Sequence, residues 1–248
     1  MNVIGVIPAR YQSTRLPGKP LADIQGRPMI QWVYESVSRS TLLDEVIVAT
    51  DDSRVIDVVE RFGGSALMTS EQHATGTDRV AEVAERYDVR IVVNIQGDEP
   101  FINPGMIDEV VLPLLDDKSI PMSTLMHEIR DAEDLNNSNV VKVVCDAKGF
   151  ALYFSRSLIP YPRHEELHHA YEHIGIYAYT KSFLLRYAKM SPTLLEKVES
   201  LEQLRVIENG LRIRVVQTVQ DYIPLSIDTE EDLAKARELA KKVHMQGE

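Results

Sequence analysis

The stretch Val3-Ile4-Gly5-Val6-Ile7-Pro8-Ala9-Arg10 runs straight into Tyr11-Gln12-Ser13-Thr14-Arg15-Leu16-Pro17-Gly18-Lys19-Pro20. An apolar run of strand length thus empties into a loop that carries Arg10, Arg15 and Lys19. In α/β architecture a buried strand ending in a small, cation-bearing loop is a phosphate site. Residues 1–30 hold Arg10, Arg15, Lys19 and Arg27 against Asp23 alone, a local net charge of +3 in a chain whose total is −11. Positive charge concentrated against so acidic a background points to a compact anion, not to a polyanion lying along a surface. Pro8, Pro17 and Pro20 fix φ and lower the entropic cost of holding long cationic side chains in place. Two familiar phosphate fingerprints fail here. The dinucleotide pattern G-x-G-x-x-G is absent, and Gly18-Lys19 is followed by Pro20 where a P-loop needs a hydroxyl residue.

Outward from this loop, strand-like and helix-like segments alternate. Val3–Ile7, Glu45–Ala49, Ala66–Thr69 and Ile91–Ile95 are rich in Val and Ile. Between them Met29–Ser38, Ser53–Phe62 and Thr77–Tyr87 place apolar residues at i, i+3 and i+4. This alternation predicts crossover helices over a largely parallel sheet. Asp52 or Ser53 can open the second helix and Gly63-Gly64 can close it. From about residue 120 the pattern changes: Met122–Met126, Val140–Cys145, Ala151–Ser155 and His173–Tyr179 follow one another with little helix between them. An antiparallel or mixed extension is expected at about 120–180, within one domain spanning residues 1–248. Polar, histidine-rich Pro160–Tyr171 reads as a loop. Helices near Lys181–Ala188 and Ser200–Glu208, a strand at Ile213–Thr218 and a closing helix from Thr229 to about Val243 complete the chain.

The 248 residues suffice for a sizeable core. A pI near 5.2 and the lack of a basic stripe beyond the loop argue against nucleic acid as a partner. Cys145 is the only cysteine, which excludes a disulfide framework and a thiolate metal site, and it reads as a small core hydrophobe. The chain opens on a strand-like segment without a signal-peptide pattern, and no run approaches the roughly 18 apolar residues of a membrane span. No membrane association is expected, and the expected compartment is a reducing cytoplasm.

Three further places bear on chemistry. Asp98 follows Ile91–Ile95 at the C-terminal end of a strand, where open parallel sheets bind ligands. Read alone it serves equally as a turn acid before Pro100. Asp228, before Thr229-Glu230-Glu231-Asp232, reads from its surroundings as a helix cap. Thr75-Gly76-Thr77-Asp78-Arg79 is a small polar helix start whose glycine would admit a close approach. His164-Glu165-Glu166-Leu167-His168 matches H-E-x-x-H, but it follows Pro160-Tyr161-Pro162 in a very polar segment, and Tyr171 and Ile174 stand where the extended motif requires Gly and His. It reads as a chance match on a surface loop.

Motifs in a fixed order along the chain carry a resemblance. Ile7-Pro8-Ala9-Arg10 through Leu21, Ala49-Thr50-Asp51-Asp52, Thr75–Arg79, Asn94-Ile95-Gln96-Gly97-Asp98-Glu99-Pro100, Ala151–Arg156, His173-Ile174-Gly175-Ile176-Tyr177, Leu201–Arg205 and Ile227-Asp228-Thr229 resemble those of the sugar-activating nucleotidyltransferases. Among these the resemblance is to the 3-deoxy-manno-octulosonate (Kdo) cytidylyltransferases, over essentially the full chain. Thr75 stands where many of that family carry serine. The resemblance implies a Rossmann-like, glycosyltransferase-A-like α/β fold with a mixed, mainly parallel sheet, helices on both faces and a β-rich dimerisation insert. It implies CTP and Kdo as substrates, CMP-Kdo for lipopolysaccharide biosynthesis and pyrophosphate as products, and a homodimer. It implies that Asp98 and Asp228 both hold Mg²⁺, and that Arg10, Arg15 and Lys19 join them in catalysis. Ala9, Arg10, Arg15, Lys19, Thr75, Gly76, Thr77, Arg79, Gln96 and Asp98 would line the nucleotide site. Gln96, Arg156, His173, Tyr177, Glu202 and Gln203 would take the sugar acid, although Glu202 and Gln203 individually pass as an exposed helix face and Tyr177 as strand core. A cytidylyltransferase for sialic acid or 8-amino-Kdo, and a non-catalytic nucleotide-sensing module, remain the alternative readings.

Overall fold

The opening strand β1 (Val3–Pro8) is buried along all but its last residue. After it come the two-residue strands β2 (Asp23–Ile24) and β3 (Arg27–Pro28), then α1 (Met29–Val37), β4 (Glu45–Thr50), α2 (Ser53–Arg61), β5 (Ser65–Met68), α3 (Gly76–Glu85) and β6 (Ile91–Asn94). The computed structural model describes residues 1–245 and falls into two compact units, the first comprising residues 1–107 with the segment from 221 onward. In the first unit β1 pairs in parallel with both β4 and β6, and β4 pairs in parallel with β5. The order is therefore β6-β1-β4-β5. Right-handed crossovers put α1 and α2 on one face and α3 on the other, because the chain reverses direction across the sheet between β5 and β6. The reversal leaves a switch point at the C-terminal ends of β1 and β6, where open parallel sheets bind ligands.

Local chemistry explains the elements. Asp52 caps α2 by accepting from the Arg54 amide, and Gly63 ends it in the left-handed region at φ +84°. Thr75 and Asp78 form a reciprocal capping box at the start of α3. The closing helix, which starts at Glu230, packs Leu233, Ala236 and Ala240 against Leu16, Ile24, Met29 and Ile227, which ties it to the loop after β1.

The chain enters the second unit, residues 108–220, through α4 (Pro104–Asp116). Then follow β7 (Met122–Glu128), α5 (Ala132–Asn136), β8 (Lys142–Cys145), β9 (Ala151–Ser155), β10 (Tyr171–Thr180), α6 (Lys181–Tyr187), α7 (Leu194–Glu199), α8 (Leu204–Glu208) and β11 (Arg214–Gln217), before α9 (Glu230–Met245) returns to the first unit. Here β10 pairs antiparallel with β7 and β8, β8 with β9, and β11 runs parallel to β7. The whole is a mixed, mainly parallel α/β fold. Within the helix expected at Ser200–Glu208 only Leu204–Glu208 is helical, as α8, while α4 and α7 stand where no helix was expected, α7 ending at Ser200 with φ +53°. H-E-x-x-H lies on a three-residue 3-10 turn, Glu165–Leu167, with the His164 side chain 71% exposed. Such a turn does not stack the two imidazoles on one helix face. Cys145 is half-buried, and burial pushes its thiol up to about 11. Among the described residues no helix is long and apolar enough to cross a membrane.

Candidate active site

At the switch point of the first unit lies a cavity of about 410 Å³. Pro8, Ala9, Arg10, Arg15 and Lys19 line it from the β1 exit, Gln96 and Asp98 from the β6 exit, and Gly76 and Arg79 from α3. The structure thus brings together eight of the ten residues expected to hold a nucleotide. Thr75 and Thr77 sit one position either side of Gly76, Thr75 as the cap of α3 and Thr77 buried.

Gly97 shows why the loop after β6 needs a glycine. A Cβ there would stand 2.9 Å from the Pro8 carbonyl oxygen, a backbone atom that cannot turn aside. Gly97→Ala therefore forces β1 and the 96–98 loop apart, and is expected to cost about 1–3 kcal/mol in urea unfolding, the usual scale of overpacking.

The charged groups of the cavity form one network. Lys19 Nζ donates to Asp98 Oδ2 at 2.6 Å and to Asp228 Oδ1 at 2.9 Å. Arg15 Nη2 lies 2.8 Å from the other Asp228 oxygen. Burial works to lower the pKa of Lys19, but the two carboxylates outweigh it and hold the ammonium above its ordinary value. Asp228 is not the helix cap that its sequence context suggested. Thr229 and Asp232 cap α9 reciprocally, Thr229 N donating to Asp232 at 3.0 Å and Asp232 N to Thr229 Oγ1 at 3.2 Å. The Asp228 side chain is left to the cations.

Two carboxylates from distant parts of the chain thus converge on one cationic point, which Lys19 Nζ marks. This hard-oxygen donor pair fits a divalent cation such as Mg²⁺. Among the described residues no group of three or more His, Cys, Asp or Glu side chains is gathered for a metal. An ion on this pair would complete its shell with water and phosphate oxygens, as Mg²⁺ commonly does.

Several supporting residues were not singled out from sequence. Asp51 accepts from Arg79 Nη2 at 2.8 Å and from the Tyr11 amide at 3.3 Å, tying the start of the cationic loop to α3. Arg79 is fully buried and also bonds Thr69, while its Nε has no hydrogen-bond partner. The Arg54 guanidinium covers the Tyr11 ring at 3.5 Å. Arg10 donates to the His73 carbonyl. Asp51 lay within a motif quoted above, but nothing in its spacing revealed Arg79 as its partner.

In the second unit β10 carries His173 and Tyr177, their rings 5.4 Å apart, with Phe154 edge-on to His173 at 4.9 Å. The pairing of β10 with β7 shifts register between Ile174 and Tyr177, and this irregularity directs the Ile174 and Ile176 carbonyls at the Thr124 hydroxyl. Thr124 Oγ1 also lies 3.0 Å from His173 Nε2. The hydroxyl has one proton for two carbonyls, so the arrangement is best satisfied with His173 Nε2–H donating to it. Burial pushes His173 down to about 3, which keeps the imidazole neutral at physiological pH. Burial, and then the charge of Glu202, raise the Tyr177 phenol far above its ordinary value. Gln203 is 4% exposed and its Nε2 has no hydrogen-bond partner. Arg156 donates to the carbonyls of Glu199 at 2.7 Å, Ser138 at 2.9 Å and Ser200 at 3.4 Å, leaving two of its five N–H donors.

Residues 4–213 match the model of the cytidylyltransferase family. The chain is 53% identical to the 3-deoxy-manno-octulosonate cytidylyltransferase of Geotalea uraniireducens (strain Rf4) over 253 aligned positions, covering 98% of this chain and all of that protein. It is 51% identical to the protein of the same name from Geobacter sulfurreducens, covering 97% of this chain and all of that one. A solved structure of CMP:2-keto-3-deoxy-manno-octonic acid synthetase complexed with CTP superposes with a TM-score of 0.93 at 44% identity, covering 98% of this chain and 99% of that one. The chain belongs to the cytidylyltransferase family, in its 3-deoxy-manno-octulosonate branch.

Proposed function

We propose that this protein transfers CMP from CTP to the anomeric hydroxyl of Kdo, giving CMP-Kdo and pyrophosphate for lipopolysaccharide biosynthesis. The observation that carries this reading is the meeting of Lys19, Arg15 and Asp98 in one cavity at the switch point of a parallel sheet, with Asp228 ion-paired to both cations. The relatives named above support the choice of CTP and Kdo. The anomeric oxygen attacks the α-phosphorus, the bond from that phosphorus to the bridging oxygen breaks, and the electron pair leaves with pyrophosphate while the hydroxyl proton is released. Such chemistry rests on positioning and charge stabilisation.

Each residue has a role in that reading. Arg10, Arg15 and Lys19 neutralise the triphosphate, with Lys19 meeting the charge that develops on transfer. Ala9, Thr75, Gly76, Thr77, Arg79 and Gln96 form the nucleoside side of the pocket. Asp98 and Asp228 hold Mg²⁺, which when bound supplies electrophilic polarisation of the α-phosphate. In the second unit His173, Tyr177, Glu202, Gln203 and the remaining donors of Arg156 engage the sugar acid, Gln203 through its open amide. His173 acts there as a neutral hydrogen-bonding group and not as a cation. We place the enzyme in the cytoplasm, where CTP is supplied, and assign it a homodimeric state.

Pyrophosphate release from CTP and Mg²⁺ with Kdo, 8-amino-Kdo or sialic acid in parallel tests the reading. Kdo is expected to give the highest kcat/KM. Preference for another acid would transfer the assignment to that sugar, and failure with all three would favour a sensor. Asp98→Asn and Asp228→Asn are each expected to raise the Mg²⁺ concentration needed for half-maximal rate by about tenfold or more, as loss of a metal-site group commonly does. An unchanged metal titration in either would remove that carboxylate from the metal site.

A further inference from the structure

We infer that Lys19 and Arg15 are place-holding cations on the carboxylates of the resting protein, so that metal and nucleotide phosphate bind as a coupled pair. This inference rests on the metal reading of Asp98 and Asp228 given above and adds to it a binding order.

Lys19 Nζ stands 2.6 Å from Asp98 and 2.9 Å from Asp228, on the same oxygens that a metal ion would use. Its side chain is only 15% exposed, so the ammonium depends on these carboxylates in place of water. Arg15 takes the remaining oxygen of Asp228 at 2.8 Å. Mg²⁺ bonds carboxylate oxygens at about 2.0–2.1 Å. It cannot share that space with an ammonium bonded to the same two groups. A metal ion arriving alone must evict Lys19 and weaken Arg15, and the evicted ammonium then faces it with no counter-ion. Among the described residues Lys19 has ion pairs only with Asp98 and Asp228.

A nucleotide arriving alone meets the converse difficulty. The cations that should take its phosphates are engaged, and their departure exposes two carboxylates to a polyanion. When both ligands arrive, the partners exchange: the metal takes the carboxylates, and the phosphates take Lys19 and Arg15. Each ligand removes the obstacle to the other, and linkage makes the coupling reciprocal. The same ion pairs tie down the loop after β1, assisted by Gly18 N donating to the Tyr11 carbonyl at 3.1 Å and Lys19 N donating to the Leu16 carbonyl at 3.1 Å.

Binding of Mn²⁺, without catalysis, tests the exchange. Free Mn²⁺ is followed by its electron-spin resonance in the absence of nucleotide, for wild type, Lys19→Gln and Arg15→Gln. Arg15 is 64% exposed, so its replacement spares the fold. Both variants are expected to bind Mn²⁺ alone more tightly than wild type, Lys19→Gln by about tenfold, within the usual range of site–site coupling. A residue that merely supported the metal site would show the opposite sign. In parallel, water-proton relaxation of wild type with Mn²⁺ and a non-hydrolysable CTP analogue reports the ternary complex, and Asp98→Asn is expected to abolish its enhancement. No enhancement in wild type, or one retained in Asp98→Asn, would overturn the metal reading and the inference with it. A normal ternary complex, with Mn²⁺ bound no more tightly by either variant alone, would overturn the exchange and leave the metal reading standing.

Discussion

Lys19→Met is expected to lower kcat by about 10²- to 10³-fold, the scale found when one preorganised group facing transition-state charge is removed. The ammonium sits at the C-terminal edge of the sheet and is 15% exposed, where its field is weakly screened. Methionine keeps the length and apolar stem of lysine while removing its charge. KM for CTP should change much less than kcat, because Arg10 and Arg15 still meet the triphosphate in the ground state. Steady-state kinetics on a variant with an unchanged far-ultraviolet spectrum give the answer. Near-normal turnover would remove Lys19 from the chemistry.

Glu196→Ala should produce the largest loss of stability, about 3–5 kcal/mol by urea unfolding, because it removes the hydrogen-bonded carboxylate of the buried Arg205 guanidinium and leaves only Glu202, at 3.9 Å, as its charge partner. Arg205 Nε lies 2.9 Å from Glu196, its side chain is 6% exposed, and it also donates to the Met190 carbonyl at 3.1 Å. The pair links α7 to α8 and so holds the intervening turn that carries Glu202 and Gln203. Burial works to raise the Glu196 pKa, but its bonds from Arg205 and the Thr193 amide outweigh that and lower it. A depressed carboxylate pKa stabilises fully above the unfolded value of about 4.3, and the contribution is lost as pH falls through the folded value. Wild type should therefore lose more stability than Glu196→Ala on acidification below about pH 4.3. Parallel pH curves for the two proteins would contradict this account of the pair.

The first unit was legible in the sequence because its signals are local. Val3–Ile7 and Ile91–Ile95 read as buried strands, and Gly63-Gly64 and Asp52 punctuate α2 where expected. α4 is poorly marked in the sequence for a physical reason: Pro104, Gly105 and Pro113 disfavour helix by intrinsic propensity. Pro104 begins the helix, where its missing donor costs nothing, and Pro113 is carried inside it by packing of Ile107, Val110, Val111 and Leu114. The cationic loop and Asp98 were readable as chemistry, but Asp228 was not. Its neighbours spell a helix cap, and only the third dimension shows Thr229 and Asp232 taking that duty. Arg156, His173 and Tyr177 were ordinary residues until the fold placed Thr124 and Phe154 around the histidine. The pairings Lys19 with Asp228 and Arg79 with Asp51 join residues 209 and 28 positions apart, and no local pattern encodes them.

Transfer of the cytidylyl group of CTP onto a sugar acid at the cavity between the ends of β1 and β6 changes the state of all three phosphorus atoms. Phosphorus-31 resonance of the protein with CTP, Mg²⁺ and Kdo follows every phosphorus atom at once. The three triphosphate signals are expected to disappear together, replaced by pyrophosphate and a single phosphodiester resonance in equal molar amount. Persistence of CTP, or its conversion to CDP with inorganic phosphate, would contradict that transfer.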